Sequence, residues 1–207
     1  QHEALEVASR IGHSTIVAFS AIVAARILGH QRGWARATRL QAAADNTLAS
    51  LGVALYPSDR QLSDELLAAA LIQSANDAAF ALAAHVGEGS VPRFVQLMNE
   101  KAAELGLEDT HYVRPDGLDT PGHFSSAEDV LALSRVAMQR PLVRRLVRTK
   151  TMQISGPRTL KSWNDLLWRV QGVVGVKTGH TDNAGWAHVI AAKPAPTGVY
   201  TVILGSP

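Results

Sequence analysis

Hydrophobic positions along this chain follow two periods, helical over most of its length and alternating near its end. From Ser14 to Leu28 the run STIVAFSAIVAARIL has no polar face, which predicts a helix surrounded on every side and ended by Gly29 and Gly33. At 15 residues, and carrying Ser20 and Arg26, it falls short of the roughly 20 apolar residues of a spanning helix, so the reading is a buried helix of a globular domain. Residues 34–62, around Tyr56-Pro57, show no assignable pattern. Ser63 then offers an N-cap, with Asp64 and Glu65 favourable to the helix dipole, ahead of the apolar run Leu66 to Ile72. After the polar break Gln73-Ser74-Ala75-Asn76, Asp77 starts a second predicted helix through Phe80, Leu82 and Val86, ending near Gly87 and Gly89.

Pro92 precedes a predicted helix from about Phe94 to Leu105, with Val95, Met98 and Ala102 on one face and Gly106 as its stop. Residues 109–125, with two prolines and two glycines, predict a long structured loop. Ser125 or Ser126 caps a helix from Ala127 through Leu131, Leu133 and Ala137, and Pro141 opens a shorter, Arg-rich one. From Gly172 the period becomes two and β-branched residues dominate, so Val173 to Thr178, Ala187 to Ala192 and Val199 to Leu204 read as three strands. Their short connections suit antiparallel neighbours, and helices followed by such a sheet predict an α+β layered fold.

Composition narrows the class. Of 207 residues 46% are hydrophobic and 18% charged, which excludes a disordered chain, and neither a repeat nor a composition break divides residues 1–207 into more than one domain. Gln1 stands where a start methionine would be and no leader pattern opens the chain, so a mature or excised product is expected. Twenty basic against 18 acidic residues leave a net charge of +2, too little overall for gripping nucleic acid. The absence of cysteine excludes disulfides, thiolate metal sites and cysteine nucleophiles. Eight histidines include no H-E-x-x-H arrangement, and neither a metal nor a cofactor is expected. Only five residues are lysines, at 101, 150, 161, 177 and 193, so chemistry that needs an amine has five candidates.

One of them opens Lys177-Thr178-Gly179, followed by His180-Thr181-Asp182 at the expected end of the first strand. A bare triplet is weak, but Ser74-Ala75-Asn76, between two predicted helices about 100 residues upstream, supplies an S-x-N element that accompanies K-T-G in serine acyl-transferases of one kind. With these motifs the chain resembles the low-molecular-weight penicillin-binding proteins, the serine D-alanyl-D-alanine carboxypeptidases. The resemblance runs from about Ala8 to Leu204. LLAAALIQSANDAAFALAAHV is similar to the family's S-x-N segment, HYVRPDGLDTPGHFSSAEDV to its Asn-Pro-His-Gly-Leu loop, and GVKTGHTDNAGW to its K-T-G strand and turn.

The resemblance implies a β-lactamase/transpeptidase-like fold and acyl transfer from a D-Ala-D-Ala peptide through a serine ester. It implies Ser14 at the nucleophile position and Lys177 beside Ser74, favouring an anionic substrate terminus. It further implies Ser74 as a proton relay to the leaving D-alanine, Asn76 on the substrate amide and Thr178 on the terminal carboxylate. Gly179 would let the substrate backbone approach the strand edge, and the backbone N–H of His180 would share the oxyanion hole with that of the nucleophile. Expected partners are a peptidoglycan stem peptide or a β-lactam, and the expected location is the cell envelope.

Two departures stand out. The family's S-x-x-K reads Ser14-Thr15-Ile16-Val17 here, and no lysine of the chain lies three residues after a serine. Valine cannot accept a proton, and loss of a positioned base costs about 10²- to 10⁴-fold in rate. The expectation is a carboxypeptidase-like domain with weak or absent turnover, or a non-catalytic homologue that keeps the peptide groove; rescue by Lys177 or His180 is the remaining route to activity. Also, only 13 residues precede Ser14, so the N-terminal strands of the family are missing, and a second chain completing the sheet, or a truncated domain, is expected. Gly12-His13-Ser14-Thr15-Ile16 fails as a G-x-S-x-G elbow because Ile16 occupies the second glycine. The stretch Arg135 to Arg169, with nine cations and one acid, reads as a solvated face that could meet anionic wall polymers or phospholipid.

Overall fold

The computed structural model describes residues 59–193 and 198–207. Ser14, Val17, the predicted helix around them and the unassigned stretch through residue 58 lie outside the described residues. The first described helix, α1 (Asp59–Ile72), begins a turn before the predicted cap. Ser63 is a buried residue within it rather than its N-cap. Every residue from Leu67 to Ile72 is buried, as an Ala- and Leu-rich segment permits when neighbours surround it.

Helix α2 (Asn76–Val86) follows after three residues, with Asp77 in its first turn. Helix α3 (Val91–Glu104) starts earlier than the sequence suggests: Ser90 Oγ accepts from Arg93 N, and Pro92 sits inside the first turn. Proline is tolerated there because a first-turn N–H has no intrahelical partner to lose. Helix α4 (Ala127–Ala137) is capped as predicted, Ser126 Oγ accepting from Asp129 N at 3.2 Å, and α5 (Pro141–Val147) is the short Arg-rich helix.

A two-stranded hairpin of β1 (Thr151–Gln153) and β2 (Thr159–Lys161), then the single turn α6 (Leu166–Arg169), occupy a stretch whose pieces are too short to show a period in sequence. Strands β3 (Val173–Thr181), β4 (Gly185–Ala192) and β5 (Val199–Ser206) form an antiparallel sheet in the order β3-β4-β5. Pairing continues to Thr181↔Gly185, so β3 is longer than predicted and Lys177 lies in its middle, not at its end. Among the described residues β3 and β5 are the sheet's edges.

The inner face of the sheet carries Ala187, Val189 and Ala191, small enough for α4 and α5 to pack close, and α1 packs on α5 to complete one core that includes Leu67, Ile72, Val130, Val143 and Leu146. At Gly175, where φ is 150°, a Cβ would come within 2.8 Å of the Val147 side chain, so only glycine lets β3 lie this near α5. A second cluster of Ala83, Phe94, Met98, Ala102, Leu107, Tyr112 and Leu133 joins α2 and α3 to α4 and the 109–125 loop.

Candidate active site

The link between α1 and α2 meets the middle of β3 at one point. Ser74, in that link, has φ 56°, a left-handed backbone that costs a non-glycine residue on the order of 1 kcal/mol. Hydrogen bonds of its two neighbours hold it there: Gln73 N and Ala75 N both donate to Ala69 O, and Trp163 Nε1 donates to Gln73 O at 2.9 Å. Lys177 Nζ donates to Ser74 Oγ and, at 2.7 Å, to Thr178 O. The lysine is 2% exposed, and burial pushes its pKa down to about 7. An ammonium in such a place is poorly hydrated, and its two oxygen acceptors among the described residues are neutral. Near neutrality the amine is therefore divided between a proton donor and a base, with Ser74 Oγ as its hydroxyl partner.

The other residues singled out in sequence lie around this pair. Asn76 opens α2 with an exposed side chain, two positions from Ser74. Thr178 is half-buried on edge strand β3, Gly179 is buried, and the exposed His180 ring lies 4.3 Å from that of Trp186 across the β3–β4 pair. The loop 109–125 is tied to the end of β3: His111 and Phe124 form a β-bridge at its base, and Thr181 Oγ1 donates to Asp119 Oδ1 at 3.0 Å. Arg114, paired with the buried Asp116, lies 5.8 Å from the centre of the Phe80 ring, bracing the loop on α2.

Three residues near this pair escape a sequence reading. Trp163 presents an indole that is 68% exposed yet tethered to the residue before Ser74. Asn164, next to it, is 3% exposed with neither side-chain polar atom hydrogen-bonded among the described residues. His188 stands directly across from Thr178 on β4; burial first, and then the Lys177 charge, lower its pKa against an opposing pull from Asp165. Only the strand register and the fold of residues 162–165 bring them here, so their sequence neighbours give no sign. The described residues include no group of three or more histidine, aspartate or glutamate side chains that could hold a metal ion.

The family model of D-alanyl-D-alanine carboxypeptidases, peptidase family S11, matches residues 21–207. The chain belongs to this family. The S11 match takes in Ser74, Asn76 and Lys177 to His180 and begins after Ser14 and Val17. Among curated proteins, the chain is 34% identical over 154 residues to the D-alanyl-D-alanine carboxypeptidase DacD of Salmonella typhimurium, covering 73% of this chain and 39% of that protein. It is 32% identical over 166 residues to the enzyme of Streptomyces sp. K15, covering 73% of this chain and 57% of that one. The chain thus spans about two fifths of the length of the first relative.

Solved structures agree on the fold. A mutant of the Streptomyces K15 DD-transpeptidase superposes with a TM-score of 0.73 at 26% identity, covering 96% of this chain and 82% of that one. Penicillin-binding protein D2 of Listeria monocytogenes, in its cefotaxime-bound form, gives 0.68 at 25%, covering 94% and 79%. The β-lactamase/transpeptidase-like fold expected from the sequence is the fold of this S11 chain.

Proposed function

We propose that this chain is a serine D-Ala-D-Ala carboxypeptidase-like domain that takes peptidoglycan stem peptides at the Ser74–Lys177 pair and turns them over slowly or not at all. The observation that carries the reading is the buried Lys177 amine on the Ser74 hydroxyl, in the middle of a strand that among the described residues is an edge, where Thr178 and Gly179 would meet an extended peptide. In this reading the substrate lies along β3 and Thr178 receives its terminal carboxylate. Lys177 supplies positive potential, and Ser74 passes a proton to the departing D-alanine nitrogen as the scissile C–N bond breaks. Asn76 holds the substrate amide, and the N–H of His180 faces the developing oxyanion.

Ser14 is the nucleophile of this scheme: its Oγ would bond to the peptide carbonyl carbon, losing its proton to a base, and water would later release the ester. Val17 occupies the position of the amine that accepts that proton, which is the reason for depressed turnover. The location proposed is the cell envelope, where such peptides are found, in keeping with curated relatives named D-alanyl-D-alanine carboxypeptidase.

A fluorescent penicillin together with D-alanine release from a D-Ala-D-Ala peptide tests the reading. Peptide binding without stoichiometric labelling, and labelling gained in Val17→Lys, is the expected outcome. Rapid stoichiometric labelling of the unaltered chain at Ser14 would overturn the slow-turnover part. Failure to bind either ligand would overturn the whole.

A further inference from the structure

Between Arg135 and Arg169 the chain carries nine cations and one acid, whereas the remaining described residues carry six cations and 14 acids. A modest net charge therefore hides a segregation of sign. All nine cations are exposed. Of these, only Arg169 has an ion-pair partner among the described residues, Asp165 at 3.0 Å, while Arg144 donates instead to the carbonyls of Met138 and Gln139.

The cations of α5 and the β1–β2 hairpin are joined by short links. Thr149 Oγ1 caps Arg145 O at 2.7 Å at the end of α5, and the next residue, Lys150, accepts at its carbonyl from Ser162 N, beside Lys161. Lys150 Nζ in turn lies 6.0 Å from the centre of the Trp168 ring. Apolar groups stand exposed in the same cluster: Trp168 is 42% and Val170 48% exposed, on either side of Arg169. Pure phosphate recognition has no use for an exposed indole and an exposed valine. Cations mixed with such groups match the boundary where anionic headgroups meet acyl chains, into which tryptophan settles with its polar edge outward.

We propose that the face formed by α5, the β1–β2 hairpin and α6 docks on an anionic lipid surface, with Arg145, Arg148, Lys150 and Lys161 on the headgroups and Trp168 at the acyl boundary. The acidic excess of the other described residues is repelled by the same surface and so favours one orientation. No described helix is long and apolar enough to cross a membrane, and the contact proposed is a peripheral one. This inference does not depend on the reaction proposed above.

Co-sedimentation of the full chain with phosphatidylcholine vesicles, with and without phosphatidylglycerol, tests it. Binding is expected only with phosphatidylglycerol, and it should fall as salt rises from about 50 to about 500 mM, where screening shortens the range of charge attraction. Each removed cation should weaken partitioning about fivefold, so that Arg145→Gln, Arg148→Gln, Lys150→Gln and Lys161→Gln together weaken it several hundredfold. Trp168→Gln should weaken it while leaving the salt slope unchanged. Should the fourfold variant not fold, Arg148→Gln and Lys161→Gln alone, with the salt titration of the unaltered chain, give the same reading. Binding that ignores the lipid charge, binding that survives these substitutions, or a soluble polyphosphate held as tightly as the vesicles would each overturn the proposal.

Discussion

Lys177 donates to the hydroxyl of Ser74 across 103 residues of sequence, and among the described residues no carboxylate pairs with it. Buried lysines ordinarily persist by pairing with an acid; this one instead has a hydroxyl, a carbonyl and a pKa near 7. A fold that buries this amine, with no carboxylate partner among the described residues, has given up stability for a group that can hold or release a proton near neutrality.

That cost is measurable against pH. Unfolded, the lysine keeps its proton to about 10.5; folded, it releases it at about 7. Between those values the unfolded state binds more protons, so stability rises with pH, with a slope approaching about 1.4 kcal/mol per unit from this group. Below about 7 both states are protonated and the full penalty of burial is present. Lys177→Met should therefore be more stable than the unaltered protein at neutral pH, with the difference shrinking toward pH 9 in urea titrations. A difference that does not change with pH would contradict the shift.

Ligand binding should respond in the opposite direction. If Lys177 supplies the positive potential for an anionic terminus, Lys177→Met removes a charged hydrogen-bonding group and weakens binding of an acetylated D-Ala-D-Ala peptide about 10- to 100-fold. Lys177→Arg should not restore it, because a planar, permanently charged guanidinium cannot stand in for a compact amine of lowered pKa. Calorimetric titration of the three proteins distinguishes this from a lysine that matters only to packing, for which the stable Met variant would bind normally.

How far the sequence reached depends on the range of the information. Helices α2, α4 and α5 were legible because caps, prolines and apolar spacing lie within a few residues of one another. Ser63 misled, because a serine before acids and leucines looks the same whether it caps a helix or is buried within one. The β1–β2 hairpin has three residues a side, too few for alternation to show. Ser74, Asn76 and Lys177 were legible only through their motifs; the meeting of Ser74 with Lys177, and the approach of Trp163, Asn164 and His188, come from β-sheet register and helix packing, which no local pattern encodes.

The Thr181–Asp119 bond gives the 109–125 loop its attachment to β3, and its two partners should behave differently. Asp119→Ala loses one exposed hydrogen bond, costing about 0.5–1.5 kcal/mol at most, and should raise hydrogen exchange within residues 109–125 more than it lowers the global unfolding midpoint. Thr181→Val also removes the acceptor of Ala184 N, 3.0 Å away, at a residue that is 3% exposed. An orphaned buried N–H costs about 1–3 kcal/mol, so this variant should be the less stable of the two by equilibrium denaturation. Equal losses would mean that the turn, rather than the loop, takes up the strain.

The placement of Lys177 also depends on how closely β3 approaches α5. Gly175, two residues before it, leaves no room for a Cβ beside Val147, and its φ of 150° is foreign to other residues. Gly175→Ala should therefore destabilise the protein by about 1–3 kcal/mol through crowding and backbone strain together. Val147→Ala removes the methyl group that a new Cβ would strike at 2.8 Å. Combined, the two changes should cost less than the sum of the single changes by at least about 0.5 kcal/mol in a double-mutant cycle. What remains of the Gly175→Ala cost after Val147→Ala reports the backbone conformation, which no trimming of α5 relieves. Strict additivity would show that β3 shifts away from α5 freely, and the buried position of Lys177 would then have to be set by its pairing with β4 alone.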